Sequence, residues 1–396
     1  MMQKAIWLIT GGPMQYIAAK KIIDNGYALI LSDRNPKATC ASLADLFLEI
    51  DTFDVDAHIA ACKEVKKKFD IKSVVTIAAD CHYTVACLAQ YLNLHGLDPN
   101  ISKICRNKIQ TRQLLKSIGM YQPDSYIIQS FADVSKFLEE NPKKNFVLKA
   151  SDSSGSRGFQ IIQPNKKLTE KQFEYTQQFC STGHIILEER LLPDPSQISE
   201  ASVETVWVDG KMYWLNWVDR IFSSDLKFFP AFKLEFTPPE GIELGHVNPG
   251  RREFSIKQTV AKLIEQAGCA LGLRQQKGGH ILKADIFFST NGPVILELTP
   301  RSSGGWDSSG SSPARGADIV GGIIQMSLGE LVDLSAWFRY FHYHDAERTA
   351  VVLSTISKNA VDCIGRQFTL VSGYSETSKL IELAFQQLGR EQYVSI

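Results

Sequence analysis

The chain has 396 residues, 44% of them hydrophobic, so it can bury a large core and should divide into about two or three domains. Its 43 acidic and 43 basic residues cancel, which leaves no electrostatic footprint for nucleic acid. No apolar run is long enough to span a membrane, and the N-terminus lacks the layout of a cleavable signal, so we expect a cytoplasmic protein without nucleic-acid or membrane partners. The eight cysteines form no C-x-x-C pair and are expected to be free thiols, and His342 and His344 have no neighbouring ligands that would complete a zinc site.

The first hundred residues alternate between strand and helix patterns. Strands are predicted at residues 4–10, 28–31 and 73–78, and helices at residues 14–25, 58–68 and 84–91. This alternation predicts a parallel sheet with helices on both faces.

Polar residues follow two of these strands. Asp33 stands about where a dinucleotide-binding fold holds a ribose, but Gly11-Gly12-Pro13 does not extend to G-x-G-x-x-G, which disfavours a nicotinamide site. Asp80 and His82 follow the last strand, at the edge where open α/β sheets bind ligands. For these two residues the argument is one of position alone.

A second unit begins near residue 101 and contains a loop of small residues. A helix is predicted at 107–118 with Lys108 in its first turn, where a solvated surface lysine is the simplest interpretation. The strand at 146–149 leads into residues 151–158, rich in serine and glycine, and a strand follows at 159–162. Such a loop lets backbone N–H groups approach phosphate oxygens, although a flexible hairpin tip explains it equally well. It is not a P-loop, because a strand and not a helix follows it.

The chain continues with further strands and a long irregular stretch. The remaining predicted elements are a strand at 185–191, a hairpin at 200–208 and 211–218, a helix at 256–271 capped by Ser255, a helix at 316–328 and a small mixed unit at 350–396. Residues 236–252 are predicted to be irregular, and loops of this length inside a compact domain are usually functional or disordered. They carry Glu243, His246, Arg251 and Arg252. The two arginines and Arg315 are candidate carboxylate anchors, although surface solvation explains each of them as well.

One hairpin near the C-terminal third suggests a metal site. Strands are predicted at 281–288 and 294–299, folded about Asn291-Gly292, which brings Asp285 close to opposite Glu297. Like charges facing each other destabilise a sheet unless a cation lies between them, and Mg²⁺ suits a site with few carboxylates because it takes its other ligands from water and phosphates. The alternative is two solvated carboxylates on an exposed sheet face.

The order of these motifs resembles the ATP-grasp superfamily over about residues 1–330. The likeness is to its carboxylate–amine ligase and biotin-carboxylase-like branch, together with the carbamoyl phosphate synthetase large subunit. It implies an α/β and α+β protein: a Rossmann-like parallel sheet, then an ATP-grasp fold of two α+β subdomains and a small C-terminal unit. The expected boundaries are 1–105, 106–190 for the lid subdomain, 191–335 for the subdomain with the magnesium site, and 336–396.

The resemblance also implies site residues. Those expected to bind ATP are Lys108, Lys149, Ser153, Ser154, Gly155, Ser156, Gly158, Glu188, Glu189, Leu191 and Glu200. Those expected to bind metal are Asp285, Glu297 and Thr299, and those expected to bind substrate are Glu243, His246, Arg301 and Gly304, with Arg301 and Lys149 catalytic. Two positions depart from the family pattern: Thr299 replaces the usual Asn, which puts a second metal in doubt, and Asp285 is shorter than the usual Glu or Gln.

The implied activity is an ATP-dependent ligation of a carboxylate to an amine through an acyl phosphate, which releases ADP and phosphate. A carboxylate needs such activation because hydroxide is a very poor leaving group, and the protein mainly positions the reactants and offsets charge. The expected cofactors are ATP and one or two Mg²⁺ ions, with Mn²⁺ as a substitute. One substrate is expected to be an amino acid, and a homodimer is compatible with the family. Activation of bicarbonate and a non-catalytic ATP-binding regulator remain alternatives.

Overall fold

The structure is a computed structural model, and it describes residues 2–153, 155–229, 236–238, 240–314, 316–334, 348–356 and 365–372, with Lys379 and Ala384. Ser154, Arg315, His342 and His344 lie outside the described residues, as does most of the predicted C-terminal unit. The seven cysteines within the described part are free thiols. None of the helices in that part is long and apolar enough to cross a membrane.

The N-terminal unit is a parallel sheet, as predicted. Its elements are β1 (Gln3–Ile9), α1 (Tyr16–Asp24), β2 (Ala28–Ser32), β3 (Leu46–Leu48), α2 (Val55–Lys68), β4 (Phe69–Val75), α3 (His82–Leu92) and α4 (Pro99–Arg106). The strand order is β3-β2-β1-β4, with every neighbouring pair parallel. Alternate residues of β1 enter two cores: Ile6 and Leu8 pack on one face, and Trp7 and Ile9 on the other. Burial on both faces explains why β1 is a continuous apolar run.

Two elements of this unit escaped the sequence analysis. Strand β3 has only three half-buried residues, which is too short to show a pattern. Helix α4 could have been predicted, because Asp98-Pro99 is a typical start of a helix. In the structure Asp98 accepts a hydrogen bond from the Asn100 N–H, and Pro99 occupies the first helical position. Helix α2 begins three residues earlier than predicted, at a side-chain cap from Asp54.

The second unit is a four-stranded antiparallel sheet. It comprises α5 (Lys108–Ser117), β5 (Ser125–Ile128), α6 (Phe131–Glu140), β6 (Phe146–Ala150), β7 (Gln160–Ile162), α7 (Glu170–Gln177) and β8 (Ile185–Glu189), with strand order β5-β8-β6-β7. Leu148 and Leu187 in the sheet share one core with Val134 of α6 and Phe173 of α7. The short strand β7 leaves residues 151–159 free to form the loop that connects it to β6.

The third unit is a seven-stranded antiparallel sheet. Its elements are β9 (Glu200–Val208), β10 (Lys211–Ile221), β11 (Gly245–Asn248), α8 (Phe254–Leu271), β12 (Gly279–Ser289), β13 (Gly292–Thr299), α9 (Ser312–Ala314), α10 (Ile319–Ser327), β14 (Arg348–Thr355) and β15 (Gly365–Ser372). The strand order is β13-β12-β9-β10-β11-β14-β15. Helix α8 packs on this sheet through Val260 and Ile264, against Trp207 and Leu282. Helix α10 packs between this sheet and the N-terminal sheet, so one core joins the first and third units.

Two local expectations were wrong. The stretch 236–252 is not wholly irregular, because Gly245–Asn248 form β11; this strand is defined by its partners β10 and β14, which lie far away in sequence. Ser255 does not cap α8, since the helix starts at Phe254 with Glu253 at the N-cap position, and the Ser255 carbonyl accepts a hydrogen bond from Thr259. Strands β14 and β15, from the predicted C-terminal unit, extend the large sheet.

Candidate active site

A cavity of about 560 Å³ lies where the three units meet. The sequence-predicted site residues that line it are Lys108, Lys149, Ser153, Gly155, Ser156, Glu188, Glu189, Leu191, Glu200, Glu243, His246, Asp285, Glu297, Arg301 and Gly304. Gly158 and Thr299 are outside its lining. Residues separated by nearly two hundred positions in sequence thus share one space.

Two lysines face this cavity from the second unit. Lys149 Nζ lies 2.7 Å from Glu188 Oε2, and Lys108 Nζ donates to the Ser153 carbonyl and lies 3.5 Å from Glu297 Oε1. The Lys108 side chain is only 17% exposed, so its interpretation as a solvated surface lysine is wrong. The two ammonium groups give the cavity fixed positive charge beside the glycine-rich loop.

Arg112 forms a buried ion pair with Glu188, and the sequence analysis missed this residue. Its Nε lies 2.6 Å from Glu188 Oε1, and both side chains are 1% exposed. Burial alone raises the pKa of Glu188, but Arg112 and Lys149 outweigh burial and hold this pKa well below its usual range. Arg112 occupies the fifth position of α5, and nothing in the helical pattern marks it as facing inward.

The glycine-rich loop adopts the backbone that its composition permits. Gly155 and Gly158 have positive φ angles of 63° and 74°. A Cβ at Gly158 would lie 3.1 Å from the Phe179 ring and 3.2 Å from the Thr176 carbonyl, so this glycine is needed for packing. Ser156 Oγ donates to the Gly241 carbonyl at 2.9 Å, which connects the loop to the third unit.

The acid pair lies where the sequence predicts it. Asp285 on β12 is directly opposite Glu297 on β13. Asp285 is only 7% exposed, which rules out the alternative of two solvated carboxylates. Its Oδ2 lies 2.6 Å from Lys283 Nζ and its Oδ1 lies 3.4 Å from Arg220. Burial raises the pKa of Asp285, but Lys283 and Arg220 outweigh it and lower the pKa, so this carboxylate is ionised.

The acid pair fits one divalent cation. No group of three or more His, Cys, Asp or Glu side chains gathers as a complete metal site among the described residues, so two carboxylates would supply only part of a shell. That arrangement suits Mg²⁺, which keeps waters and shares phosphate oxygens. Thr299 is buried opposite Lys283 and lies outside the cavity lining, and its predicted role as a metal ligand stays a prediction.

Glu243 and His246 form a buried pair beside the acids. His246 Nδ1 lies 2.8 Å from Glu243 Oε1, and Arg220 donates to Glu243 Oε2 from Nε at 3.0 Å and from Nη2 at 2.7 Å. Arg220 therefore touches both Glu243 and Asp285. It comes near the end of β10, and nothing in the sequence marks this strand-end cation as part of the site.

Arg301 is held by the N-terminal unit. Its guanidinium donates to Asp80 Oδ1, from Nε at 3.0 Å and also from Nη2, and its Nη1 donates to the Ser302 carbonyl at 2.7 Å. Burial lowers the pKa of Arg301, but Asp80 outweighs burial and raises it. Asp80 also lines the cavity, and its predicted place at a ligand site stays a prediction.

Other candidates lie elsewhere. His82 lines a separate cavity of about 110 Å³, and Asp33 accepts a hydrogen bond from the Gly11 N–H at 2.8 Å. Arg252 is buried against Asp219 at 2.8 Å, and Arg251 donates to Thr349, so neither is a solvated surface arginine. None of these side chains lines the main cavity.

Comparisons with known proteins agree with this architecture. No protein-family model matches the chain. The Sinorhizobium fredii protein y4rH is 25% identical over 293 residues, which are 72% of this chain and 55% of that protein, so the chain spans about half the length of this relative.

Solved structures match over most of the chain. The L-amino acid ligase from Bacillus licheniformis has a TM-score of 0.66 at 17% identity, covering 91% of this chain and 82% of that one. N5-carboxyaminoimidazole synthetase from Staphylococcus aureus, complexed with ADP, has a TM-score of 0.67 at 12% identity, covering 96% of each chain. The biotin carboxylase domain of Hydrogenobacter thermophilus 2-oxoglutarate carboxylase, with MgADP and bicarbonate, has a TM-score of 0.63 at 14% identity, covering 89% of this chain and 75% of that one.

At such identities the likeness establishes the fold. The chain has the ATP-grasp fold, as its resemblance to that superfamily predicts. The predicted combination of a parallel α/β unit with two α+β units is confirmed.

Proposed function

We propose that this protein is an ATP-dependent carboxylate–amine ligase acting on small molecules, with an amino acid as one substrate. The observation that carries the proposal is the meeting of three groups in one cavity: two lysines beside a glycine-rich loop, a facing acid pair, and Arg301 with the Glu243–His246 pair. Fold likeness to ligases and carboxylases supports this choice of reaction but does not select a substrate.

The second unit supplies the groups for a nucleotide. Lys108 and Lys149 would offset the negative charge of a triphosphate, and the backbone N–H groups of the loop from Ser153 to Gly158 would contact its oxygens. Glu188, Glu189 and Leu191 would frame the adenine, and Glu200 would accept ribose hydroxyls. Magnesium held by Asp285 and Glu297 would supply charge neutralisation at the phosphates.

The third unit supplies the groups for the substrate. Arg301 would hold a carboxylate in a two-point contact, and its bond to Asp80 keeps the guanidinium oriented. A carboxylate oxygen attacks the γ-phosphorus, the bond to the bridging oxygen of ADP breaks, and an acyl phosphate forms. The amine nitrogen then attacks the acyl carbon, phosphate leaves with the bonding electrons, and the amine gives up a proton. Closure of the loop over the cavity would exclude water, which otherwise hydrolyses the acyl phosphate.

The test is phosphate release by purified protein with ATP, Mg²⁺ and pooled amino acids. We expect release that requires at least one amino acid, and its loss in Glu297→Gln, because the acid pair then keeps only one carboxylate. Adenine binding should be largely intact in that variant, as measured by displacement of a fluorescent ATP analogue. Wild-type turnover in Glu297→Gln would refute the metal assignment.

The same assay separates the alternatives. Phosphate release that bicarbonate stimulates without any organic acid would favour a carboxylating enzyme. Tight ATP binding with no turnover in any pool of amino acids or small carboxylates would favour a regulator and remove the support for a ligase.

A further inference from the structure

One acid in the cavity wall has an unusual hydrogen-bond environment. Asp307 opens a short π-helix, Asp307–Ser311, directly after the loop that begins at Arg301, and it lines the cavity while being only 3% exposed. Its Oδ1 accepts hydrogen bonds from Asn216 Nδ2 and Asn248 Nδ2, both at 3.0 Å. Its Oδ2 is buried and has no hydrogen-bond partner. Buried polar atoms without a partner are uncommon and call for an explanation.

A second acid lies behind Asp307. Glu204 is fully buried and accepts from the Ser303 N–H at 2.6 Å and Ser308 Oγ at 2.9 Å on one oxygen, and from Asn216 Nδ2 at 2.9 Å on the other. Asn216 Nδ2 therefore donates to both acids. All of these donors are neutral, so they satisfy Glu204 without compensating a negative charge.

Most other buried acids of the cavity form ion pairs with basic side chains. Glu188 pairs with Arg112 and Lys149, Asp285 with Lys283 and Arg220, and Glu243 with Arg220. No ion pair to Asp307 or Glu204 occurs among the residues that the structure describes. In the same described part of the chain, the half-buried Glu200 has no ion pair either, and it is the residue proposed to face the ribose.

The raised pKa of Asp307 is consistent with a site that a positively charged group would complete. Burial raises the pKa of Asp307 well above its usual value, and the charge of Glu204 adds to that rise. The neighbouring Ser303 side chain opposes the rise without giving Oδ2 a hydrogen bond of good geometry. A positive donor at Oδ2 would satisfy the free oxygen and favour the ionised carboxylate at once.

We propose that Asp307 Oδ2 binds a protonated amino group of the substrate. This inference rests on the proposed ligase function and deepens it: the substrate activated at Arg301 is an amino acid, with its carboxylate at Arg301 and its ammonium group at Asp307. Ser311 connects Asp307 to His246: His246 Nε2 lies 3.2 Å from Ser311 Oγ, which in turn donates to the Asp307 carbonyl at 3.2 Å. Asp307 thus adjoins the Glu243–His246 pair, and Arg301 begins the loop that leads to it.

The wild-type protein tests the proposal first. Phosphate release with ATP and Mg²⁺ is measured for each amino acid and for the carboxylic acid of the same skeleton without the amino group, such as alanine and propionate. We expect kcat/KM for the best amino acid to exceed that of its desamino analogue by at least about 100-fold, because a site built to bind a polar group rejects an analogue that lacks it. Equal rates with the desamino acids would overturn the inference and leave the ligase function standing.

A variant tests the residue itself. Asp307→Asn keeps the shape of the side chain and removes its charge, and we expect the preference for amino acids to fall below about fivefold while KM for ATP stays within about twofold. Asp70→Asn is the matched control, because this exposed acid pairs with Lys72 and does not line the cavity; it should retain the wild-type preference. A full preference in folded Asp307→Asn would show that Oδ2 holds only a buried water.

A binding measurement tests the ammonium site even if the protein proves not to be a ligase. If no acid releases phosphate, the ligase proposal fails, and thermal shifts with a non-hydrolysable ATP analogue then decide the inference alone. Stabilisation by amino acids but not by their desamino analogues would support the ammonium site. Equal stabilisation, or none with either, would overturn it.

Discussion

Among single residues, Glu188 shows how the cavity tolerates a buried charge. The carboxylate is satisfied by Arg112 on one oxygen and Lys149 on the other. Removing one partner of a buried charge is far more costly than removing a surface pair, because the remaining charge keeps its desolvation penalty. Arg112 is therefore as important to the environment of Glu188 as Lys149 is.

We predict that Arg112→Met lowers the free energy of unfolding by about 3–5 kcal/mol. Urea unfolding at neutral pH measures it, with Lys116→Met as the control on the same helix, since its 3.5 Å pair with Asp124 is exposed and such pairs contribute about 0–1 kcal/mol. Because folding lowers the pKa of Glu188, this residue adds to the free energy of unfolding at pH values above the pKa of an unfolded glutamate, about 4.3. That contribution is lost progressively as the pH falls below this value. Equal losses in the two variants would contradict the assignment.

Glu200 gives a prediction for pH. Burial raises its pKa to about 7, with Arg220 opposing the rise and Asp285 adding to it. If the ionised form accepts ribose hydroxyls, the KM for ATP should rise about tenfold as pH falls from about 8 to about 6, because the ionised fraction falls tenfold. The nucleotide titrates in this range too, so Glu200→Gln is measured alongside. The variant should show a flatter profile, and parallel profiles would count against the role of Glu200.

Among the elements, helix α8 is positioned by one close contact. A Cβ built at Gly268 would lie 2.2 Å from the Trp207 ring, which is almost fully buried on β9. Replacing glycine by alanine inside a helix normally stabilises it by up to about 1 kcal/mol. At Gly268 the clash makes the same replacement destabilising, because the surrounding core fixes both the helix backbone and the indole.

We predict that Gly268→Ala destabilises the protein by about 1–3 kcal/mol. Chemical denaturation provides the measurement. Glu265→Ala on the exposed side of α8 is the control and should stay within about 0.5 kcal/mol. A more stable Gly268→Ala protein would mean that α8 lies farther from the sheet than the structure shows.

For the whole molecule, the bond between Asp80 and Arg301 connects units that are distant in sequence. Asp80 follows the last strand of the parallel sheet, and Arg301 follows β13 of the large sheet. The N-terminal unit therefore does more than pack against α10, because it sets the direction of the guanidinium. A group held in this way has little freedom left to lose when it binds a carboxylate.

We predict that Asp80→Asn lowers kcat/KM for the acid substrate by about tenfold to a hundredfold, as expected for the loss of a charge-assisted hydrogen bond of about 1.5–3 kcal/mol. The KM for ATP should change little, because Asp80 acts through Arg301, the residue proposed to hold the acid substrate. Steady-state kinetics with each substrate varied in turn gives both values. An effect confined to the KM for ATP would show that Arg301 faces the nucleotide instead.

The opposed acids were predictable because local chemistry determines them. Asn291-Gly292 marks the turn region, and pairing outward from it brings Asp285 close to Glu297, while a register shift between Asp285 and Ile286 sets the two acids directly opposite each other. The alternation of strand and helix patterns in the N-terminal segment likewise predicted its parallel sheet. Strand β11 was missed because four residues carry too little pattern, and its identity as a strand depends on partners on both sides.

The sequence by itself determined the parallel first unit and the closeness of the two acids, because each follows from patterns within a few tens of residues, and the order of its motifs over about residues 1–330 indicated the ATP-grasp fold. Only the tertiary structure revealed Arg112 behind Glu188, Arg220 between Glu243 and Asp285, Asp80 on Arg301, and the unpartnered oxygen of Asp307. Each of these is a contact between residues far apart in the chain. A charged residue looks the same in a sequence whether it faces water or a buried partner, and only the packed chain decides which of the two it meets.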